Sequence, residues 1–258
     1  MRIPERRIIE LKDLIKTEKI VTVEKLSEIF KTAPITIRRD LERLDREGFV
    51  TRVHGGAVYK DSVEPEPVFA EQIKLKREEK SEIAGEASKR INDGNIVVLE
   101  SGSTCLAMVK YLKDKKNLKV STAGIPLAYE LWNLSMRKKD LEVSVCGGLI
   151  RSNSSIYVGP HAIDFFNNIN ADIAFLSPVG VSVDKGISTA TDLDAELMRS
   201  IIDCSKKTIL ICDSTKFGKY SYINVAPLTK FKEIITDKAL DNDYYNKIKD
   251  NDIKITLV

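Results

Sequence analysis

From residue 73 onward the chain repeats one pattern: a short, mostly apolar run, a polar loop, then a segment with helical spacing. The runs are IVVLE (96–100), LKVST, LEVSV, ADIAFLS, TILICD, EIITD and IKITLV. IVVLE is continuously apolar, as suits a strand covered on both faces. Between the runs lie IKLKREEKSEIAGEASKRI, CLAMVKYLK, IPLAYELWNL, HAIDFFNNI and DLDAELMRSIID, each with helical periodicity. The alternation predicts an α/β domain with a mainly parallel sheet and helices on its faces.

In such sheets ligands bind beyond the carboxyl ends of the strands. The loop Ser101-Gly102-Ser103-Thr104 lies there, between a strand and a helix start. Gly102 lets the backbone approach closely, helix-start N–H groups attract an anion, and the hydroxyls of Ser101, Ser103 and Thr104 add donors. This describes a small phosphate cradle; a plain capping turn uses the same residues. It is not a Walker loop, because the G-x-x-x-x-G-K spacing is absent. Ser121-Thr122, Gly147-Gly148 with Arg151, Ser188-Thr189 and Asp213-Ser214-Thr215-Lys216 are expected to converge on the same edge. Arg151 or Lys216 would neutralise phosphate; otherwise each is an ordinary loop residue.

The first 60 residues read differently. Ile8, Leu11 and Ile15 put ERRIIELKDLIK on a helix, and IVTV at 20–23 is a short extended piece. Thr22 can cap a second helix whose apolar stripe is Leu26, Ile29 and Phe30. Pro34 fits the first position of a third helix, and Gly48 its C-terminal cap. That helix contains TIRRDLERL, with Ile37, Leu41 and Leu44 on one stripe. Arg38 and Arg39 stand in its first turns, where the helix dipole is already positive. A polyanion would offset that cost. FVTRV and AVY around a Gly-Gly turn read as a hairpin. The whole is a helix-turn-helix with a wing, whose second helix lies in the DNA major groove. With Ile37 facing the core, Ile35, Arg39 and Arg43 face away, and Thr36 and Arg38 lie on the flanks. Thr36, Arg38, Arg39 and Arg43 are therefore candidates for base or phosphate contact, and Lys25 and Arg52 for phosphate. His54 either sets the wing tip on a phosphate or completes the turn. Asp40 reads as an internal partner for an arginine.

The predicted organisation is a winged helix-turn-helix over 1–60, a linker over 61–72, and an α/β effector-binding and oligomerisation domain over 73–258. Pro65 and Pro67 exclude helix within DSVEPEPVF. Residues 1–60 hold 14 Lys and Arg against 10 Asp and Glu, whereas the other 198 hold 27 against 28. A basic head on a neutral body suits contact with a polyanion. No apolar run approaches the ~20 residues of a membrane span. The N-terminus lacks a signal-peptide pattern. Cys105, Cys146, Cys204 and Cys212 have no metal or redox spacing, and His54 and His161 are the only histidines. Reduced thiols in a cytoplasmic protein, without metal or cofactor, are the expectation.

TIRRDLERL followed by GFVTRVHGGAV, then EEKSEIA, ESGST, CGG, GPHA and DSTKFG, resemble the DeoR family of bacterial transcription regulators over almost the whole chain. The resemblance implies a winged helix-turn-helix repressor with a sensor similar in fold to ribose-5-phosphate isomerase. It further implies a phosphorylated sugar or related metabolite as effector, homo-oligomers, and double-stranded operators of sugar operons. Against the family pattern, the cradle starts with Glu100 rather than Asp, Ala123 replaces Asn, and Ser177-Pro178-Val179-Gly180 replaces Gly-Ala-Asp-Gly. Met198, beside Arg199, replaces a lysine, and Ala33 replaces a capping Ser at a cost of about 1 kcal/mol. An anion is then expected to bind while the sugar end is read differently. Glu100, Ser101, Gly102, Ser103, Thr104, Thr122, Gly147, Gly148, Arg151, Thr189 and Lys216 form the candidate ligand set. Two other functions are open: an isomerase carrying a DNA-binding head, and a DNA-binding protein whose body only oligomerises. The isomerase reading is weakened by Val179, where the acid of the Gly-Ala-Asp loop is missing; no catalytic residue is assigned.

Overall fold

The computed structural model describes residues 3–18, 20–53, 55–59 and 69–258. His54, most of the expected linker and its prolines lie outside them. The chain divides into two compact units, Met1–Glu66 and Pro67–Val258.

The first unit runs α1 (Ile3–Glu18), β1 (Ile20–Thr22), α2 (Val23–Ile29), α3 (Pro34–Arg46), β2 (Val50–Val53) and β3 (Gly56–Tyr59). Thr22 caps α2 by accepting the Lys25 N–H. Pro34 opens α3, and Ala33 provides no side-chain cap. Gly48, at φ +72°, closes α3. Its N–H donates to Asp45 O and that of Phe49 to Leu44 O, both at 2.9 Å, which satisfies the last carbonyls in a Schellman motif. The strands pair antiparallel in the order β1-β3-β2, so the hairpin is anchored to the strand before α2. Ile37, Leu41 and Leu44 are buried with Leu11, Ile15 and Leu26. Each contributes about 1.5–3 kcal/mol of burial. One expectation fails: Ile29 is 49% exposed, and α2 buries Val23 and Leu26 instead. The side that closes carries Val23, Leu26 and the half-buried Phe30, and at 100° per residue Ile29 lies roughly 90° from its centre.

The second unit is built on a seven-stranded parallel sheet. Its strands are β4 (Ile96–Leu99), β5 (Leu118–Thr122), β6 (Leu141–Val145), β9 (Ile173–Leu176), β12 (Thr208–Ile211), β14 (Glu233–Thr236) and β15 (Ile255–Leu257). Their spatial order is β15-β14-β12-β9-β4-β5-β6. Strand alternation feeds two cores: Val97, Leu99, Ile209 and Ile211 point to one, Val98 and Leu210 to the other. The first is covered by α5 (Arg77–Ser88), α6 (Ser103–Met108) and α7 (Ile125–Ser135), the second by α8 (Pro160–Asn167), α9 (Asp192–Asp203) and α10 (Asn242–Asp250). The chain winds outward from β4 to β6, then returns to β9 on the other side of β4. The order therefore reverses between β4 and β9, where open α/β sheets form a crevice.

Several details differ from the sequence reading. Residues 69–72, expected in the linker, form a helical turn, α4 (Phe69–Gln72), with Phe69 buried and its N–H donated to Asn153 O at 3.0 Å. Residues 73–76 form a turn, so the helix expected from Ile73 begins only at Arg77, as α5. The loop after β6 contains a hairpin, β7 (Leu149–Arg151) and β8 (Ile156–Val158). A small antiparallel sheet of β10 (Gly180–Ser182), β11 (Gly186–Thr189) and β13 (Ile223–Ala226) is a further addition.

Candidate nucleic-acid interface and ligand site

α3 separates its faces as the spacing requires. Ile37, Leu41 and Leu44 are buried, Arg38, Arg39 and Arg43 are exposed, and Thr36 is half-buried. Asp40 binds Arg7, with Arg7 Nε 2.7 Å from its carboxylate, and this ties α1 to α3.

The candidate cations fall into two groups. Lys25 Nζ lies 2.6 Å from Glu18, Arg43 Nε 2.8 Å from Glu47, and Arg52 Nη1 2.9 Å from Glu42. Glu47 also accepts Lys12 at 2.8 Å, and the bonds from Lys12 and Arg43 hold its carboxyl below the ordinary glutamate value. By contrast, Arg38 and Arg39 have no ion-pair partner among the described residues. Exposed pairs are worth about 0–1 kcal/mol, so phosphate can replace the carboxylates at small cost. The Arg52–Glu42 pair also ties the hairpin to α3, and the Arg52 N–H meets Asp45 at 3.4 Å.

In the second unit, the strand ends reach one edge of the sheet, as a parallel arrangement demands. Loop 100–104 follows β4 at the reversal point. It packs against the turn after β9 so closely that a Cβ on Gly102 would overlap Ser177 Cβ and lie 2.7 Å from Ser177 Oγ. Ser101, Ser103 and Thr104 are buried. Glu100 is also buried, and its carboxylate turns back onto its own loop, accepting the Ser101 hydroxyl and, at 3.1 Å, the Gly102 N–H. The cradle's first donors are thus occupied by the chain's own carboxyl group. Burial pushes the Glu100 carboxyl up from its ordinary value; the Ser101 and Gly102 bonds oppose this and the Asp194 charge adds to it. The Thr122 hydroxyl is likewise used internally: it donates to Glu100 O at 2.8 Å and accepts the Gly124 N–H at 3.0 Å.

The remaining candidates do not form one cluster. Arg151 Nη1 reaches Asp194 at 2.7 Å and Ser154 at 2.9 Å, beside the Glu100 side of the loop. Gly147 and Gly148 precede β7, both at positive φ. Thr189 is buried at the end of β11, two residues before Thr191, which caps α9 by accepting the Asp194 N–H. Lys216 lies near enough to Lys80, in the first turn of α5, for its charge to act on that amine together with Asp213. Lys80 is buried, donates to Gln72 O at 2.6 Å and Leu75 O at 2.8 Å, and shares with Ser103 a groove of about 580 Å³ along α6. Burial lowers the Lys80 amine, the Lys216 charge adds to that, and Asp213 opposes it.

Lys80 was not singled out from sequence. The signal for Lys80 was its register: with Ile83, Ala84 and Ala87 it sits on the buried stripe of α5, where an amine needs partners. The departures at Ala123 and Met198 are both buried; Met198 joins the apolar core under α9. Arg199 instead caps the carbonyls of Asn224 and Val225.

Comparison with known proteins agrees with this geometry. Residues 7–63 match the DeoR-like helix-turn-helix domain, and residues 75–238 the DeoR C-terminal sensor domain. The HTH-type transcriptional regulator YulB of Bacillus subtilis is 33% identical over 98% of this chain and 95% of its own. The glycerol-3-phosphate regulon repressor of Escherichia coli is 27% identical over 95% of each. Ribose 5-phosphate isomerase A of Neisseria gonorrhoeae overlaps 57% of this chain and 54% of its own, at 14% identity and a TM-score of 0.40. With both domain matches in chain order and a relative aligned from end to end, the chain belongs to the DeoR family of DNA-binding transcriptional regulators.

Proposed function

We propose that this protein is a cytoplasmic repressor of a carbohydrate-metabolism operon. It binds double-stranded operator DNA as a homo-oligomer, and a phosphorylated small metabolite at the sheet edge sets its DNA affinity. The observation that carries the DNA reading is the state of Arg38 and Arg39: exposed, at the start of α3, and without an ion partner among the described residues. Their position above a fully buried Ile37-Leu41-Leu44 stripe supports a rigid presentation of both to a groove. The effector reading is supported by the loop 100–104 at the reversal between β4 and β9, with Lys80 sharing a groove with Ser103. The relative named as a glycerol-3-phosphate regulon repressor agrees with a phosphorylated effector.

Operator fragments selected from genomic DNA should bind the full chain, with an affinity that changes on adding sugar or polyol phosphates but not their unphosphorylated parents. Melting followed through Trp132, the single tryptophan, should report the same ligands. A ligand at about 100 times its Kd adds ~2.7 kcal/mol. DNA binding that no phosphorylated compound alters, together with an unmoved melt, would remove the effector half of the proposal and leave the DNA half standing.

A further inference from the structure

α5, α6 and α7 lie side by side on one face of the sheet and run in the same direction. Their ends meet at the edge where the strands begin. Just past α5 and α6 the Lys115 amine donates to Ile91 O at 2.6 Å, and just past α7 Asp140 accepts the Asn117 N–H at 3.0 Å. α6 is the shortest of the three, six residues before the winding tightens over Val109–Asp114. Small side chains, Ser103 and Ala107, face the gap above it. The groove of about 580 Å³ therefore runs along α6 between its two neighbours. Its Ser103 end adjoins loop 100–104, while Asp194, on α9, belongs to the opposite face of the sheet.

Four cations line this groove against a single acid, Glu130. Arg77 and Lys80 stand in the first turn of α5, Lys110 just beyond α6, and Arg137 just past the end of α7. An 11-residue helix such as α7 is ~16 Å long, so these charges are strung along the groove rather than gathered at one point. None of the four has an ion-pair partner among the described residues, and neither has Glu130. Lys80 is held by two carbonyls, and Lys110 by the Ser81 hydroxyl at 2.6 Å. Elsewhere in this unit basic side chains find carboxylates: Arg90 finds Glu233, Lys138 finds Asp140 and Lys206 finds Asp172. Like charges lining one groove repel, and an anion lying between them removes that cost. Leu106, Ala107 and Leu134 give the stretch between the charges an apolar surface.

We infer that the groove along α6 takes an elongated organic anion with an acidic group at each end: a bisphosphate or a phosphorylated carboxylic acid. The inference rests on the effector reading above and names the class of molecule that the same site takes. A singly phosphorylated polyol engages the Ser103 end and leaves Lys110 and Arg137 without an anion. The Arg137 guanidinium suits phosphate and carboxylate alike, since both accept its paired N–H groups. Glu130 and Asn133, one turn apart on the α7 wall, can hydrogen-bond hydroxyls on the body of the ligand. The volume falls within the range of small-molecule sites.

The test is calorimetric titration of the full-length protein, at one ionic strength, with three probes: a hexitol bisphosphate, phosphogluconate and a hexitol monophosphate. One or both of the doubly acidic probes should bind about tenfold tighter than the monophosphate, and the better of the two identifies the far group. Arg137→Ala should bring that ratio close to one. Glu130→Gln, which removes the only acid of the groove, should tighten the doubly acidic probe about threefold, a gain that a misfolded variant would not give. Far-UV circular dichroism shows that each variant is folded. Monophosphate binding with no advantage for either doubly acidic probe would overturn the inference and leave the effector reading standing. An advantage that Arg137→Ala leaves intact would put the second acidic group outside the groove and overturn it equally. Binding of none of the three would also overturn it, whereas the effector reading falls only if the wider set of phosphorylated compounds fails as well.

Discussion

Replacing Gly102 by alanine tests whether the cradle is held by the contact between loop 100–104 and the turn after β9. Gly102 has φ −62° and ψ 159°, which alanine adopts without strain, so any cost is steric. The added methyl would overlap Ser177 Cβ and lie 2.7 Å from its Oγ. Ser177 cannot easily yield, because Pro178 follows it with a fixed φ. Loop 100–104 is held too, since the Ala123 N–H bonds Glu100 O at 3.3 Å and Leu106 N–H bonds Gly102 O at 2.9 Å. Overpacking of this kind costs about 1–3 kcal/mol. In a unit of this size each kcal/mol lowers the melting temperature by roughly 2–4 °C. The expected loss is therefore about 2–12 °C, read through Trp132 so that the second unit alone is followed. Gly102→Ala combined with Ser177→Gly removes the opposing carbon and should recover most of the loss, leaving about 1 kcal/mol for the freer backbone. A Gly102→Ala melt within a degree of the parent would refute the reasoning. So would a double variant no better than the single one.

Further outcomes follow from the pairing of charges. Arg39→Ala should weaken operator binding by about 1–3 kcal/mol and leave the melt unchanged, because Arg39 has no ion partner to lose among the described residues; undiminished titration of labelled operator would mean the wrong face of α3 was chosen. Glu42→Gln should strengthen binding modestly on every DNA sequence, since Arg52 no longer has to leave a carboxylate; weaker binding would show that the pair is needed to hold the wing. Lys25→Ala and Arg52→Ala should each reduce the slope of log affinity against log salt by about 0.9, as one lost phosphate contact does. Glu100 gives a pH signature: its raised folded value means that the native state keeps a proton the unfolded chain has released. Its own contribution to stability should be full below the ordinary glutamate value and lost as pH rises through the raised one, opposite in sign to carboxylates held low such as Glu233. Denaturant titrations of parent and Glu100→Gln at several pH values isolate it, and a parent–variant difference that stays constant over this window would contradict the buried placement.

The architecture was legible wherever periodicity and burial agree. IVVLE and TILICD became central strands because both of their faces are covered, and the α3 stripe became core because three apolar residues recur at helical spacing. The hairpin after β6 was not legible: Leu149 and Ile150 sit next to each other and both remain exposed, so the alternation that marks a half-buried strand is absent. Ile29 failed because Val23, at the very start of α2, fixes the inward side with Leu26 and Phe30, which turns Ile29 about 90° away. The site was less legible than the fold. Position after a strand brought Glu100, Thr122 and Lys216 to one edge, but sequence carries no information on which sheet face each turns toward. Arg151 found Asp194, forty-three residues later, only through the return of the chain across the reversal point.

The two units treat charge in opposite ways, and the difference bears on how sensing is coupled to DNA. Among the described residues, the head leaves Arg38 and Arg39 without ion partners and pairs Lys25, Arg43 and Arg52 with carboxylates that phosphate can displace at small cost. The body satisfies its charges internally: Arg151 with Asp194, Lys80 with two carbonyls, Glu100 with its own loop. An anion entering the cradle must therefore exchange with Glu100 rather than fill bare donors. Such an exchange weakens binding, because part of the gain is spent in freeing the carboxylate. It also creates two alternative arrangements of the same residues, one closed on Glu100 and one closed on the ligand. A ligand shifts an equilibrium only by its differential affinity for two states. A cradle already closed on its own carboxyl group supplies the second state, which a cradle of bare donors would lack.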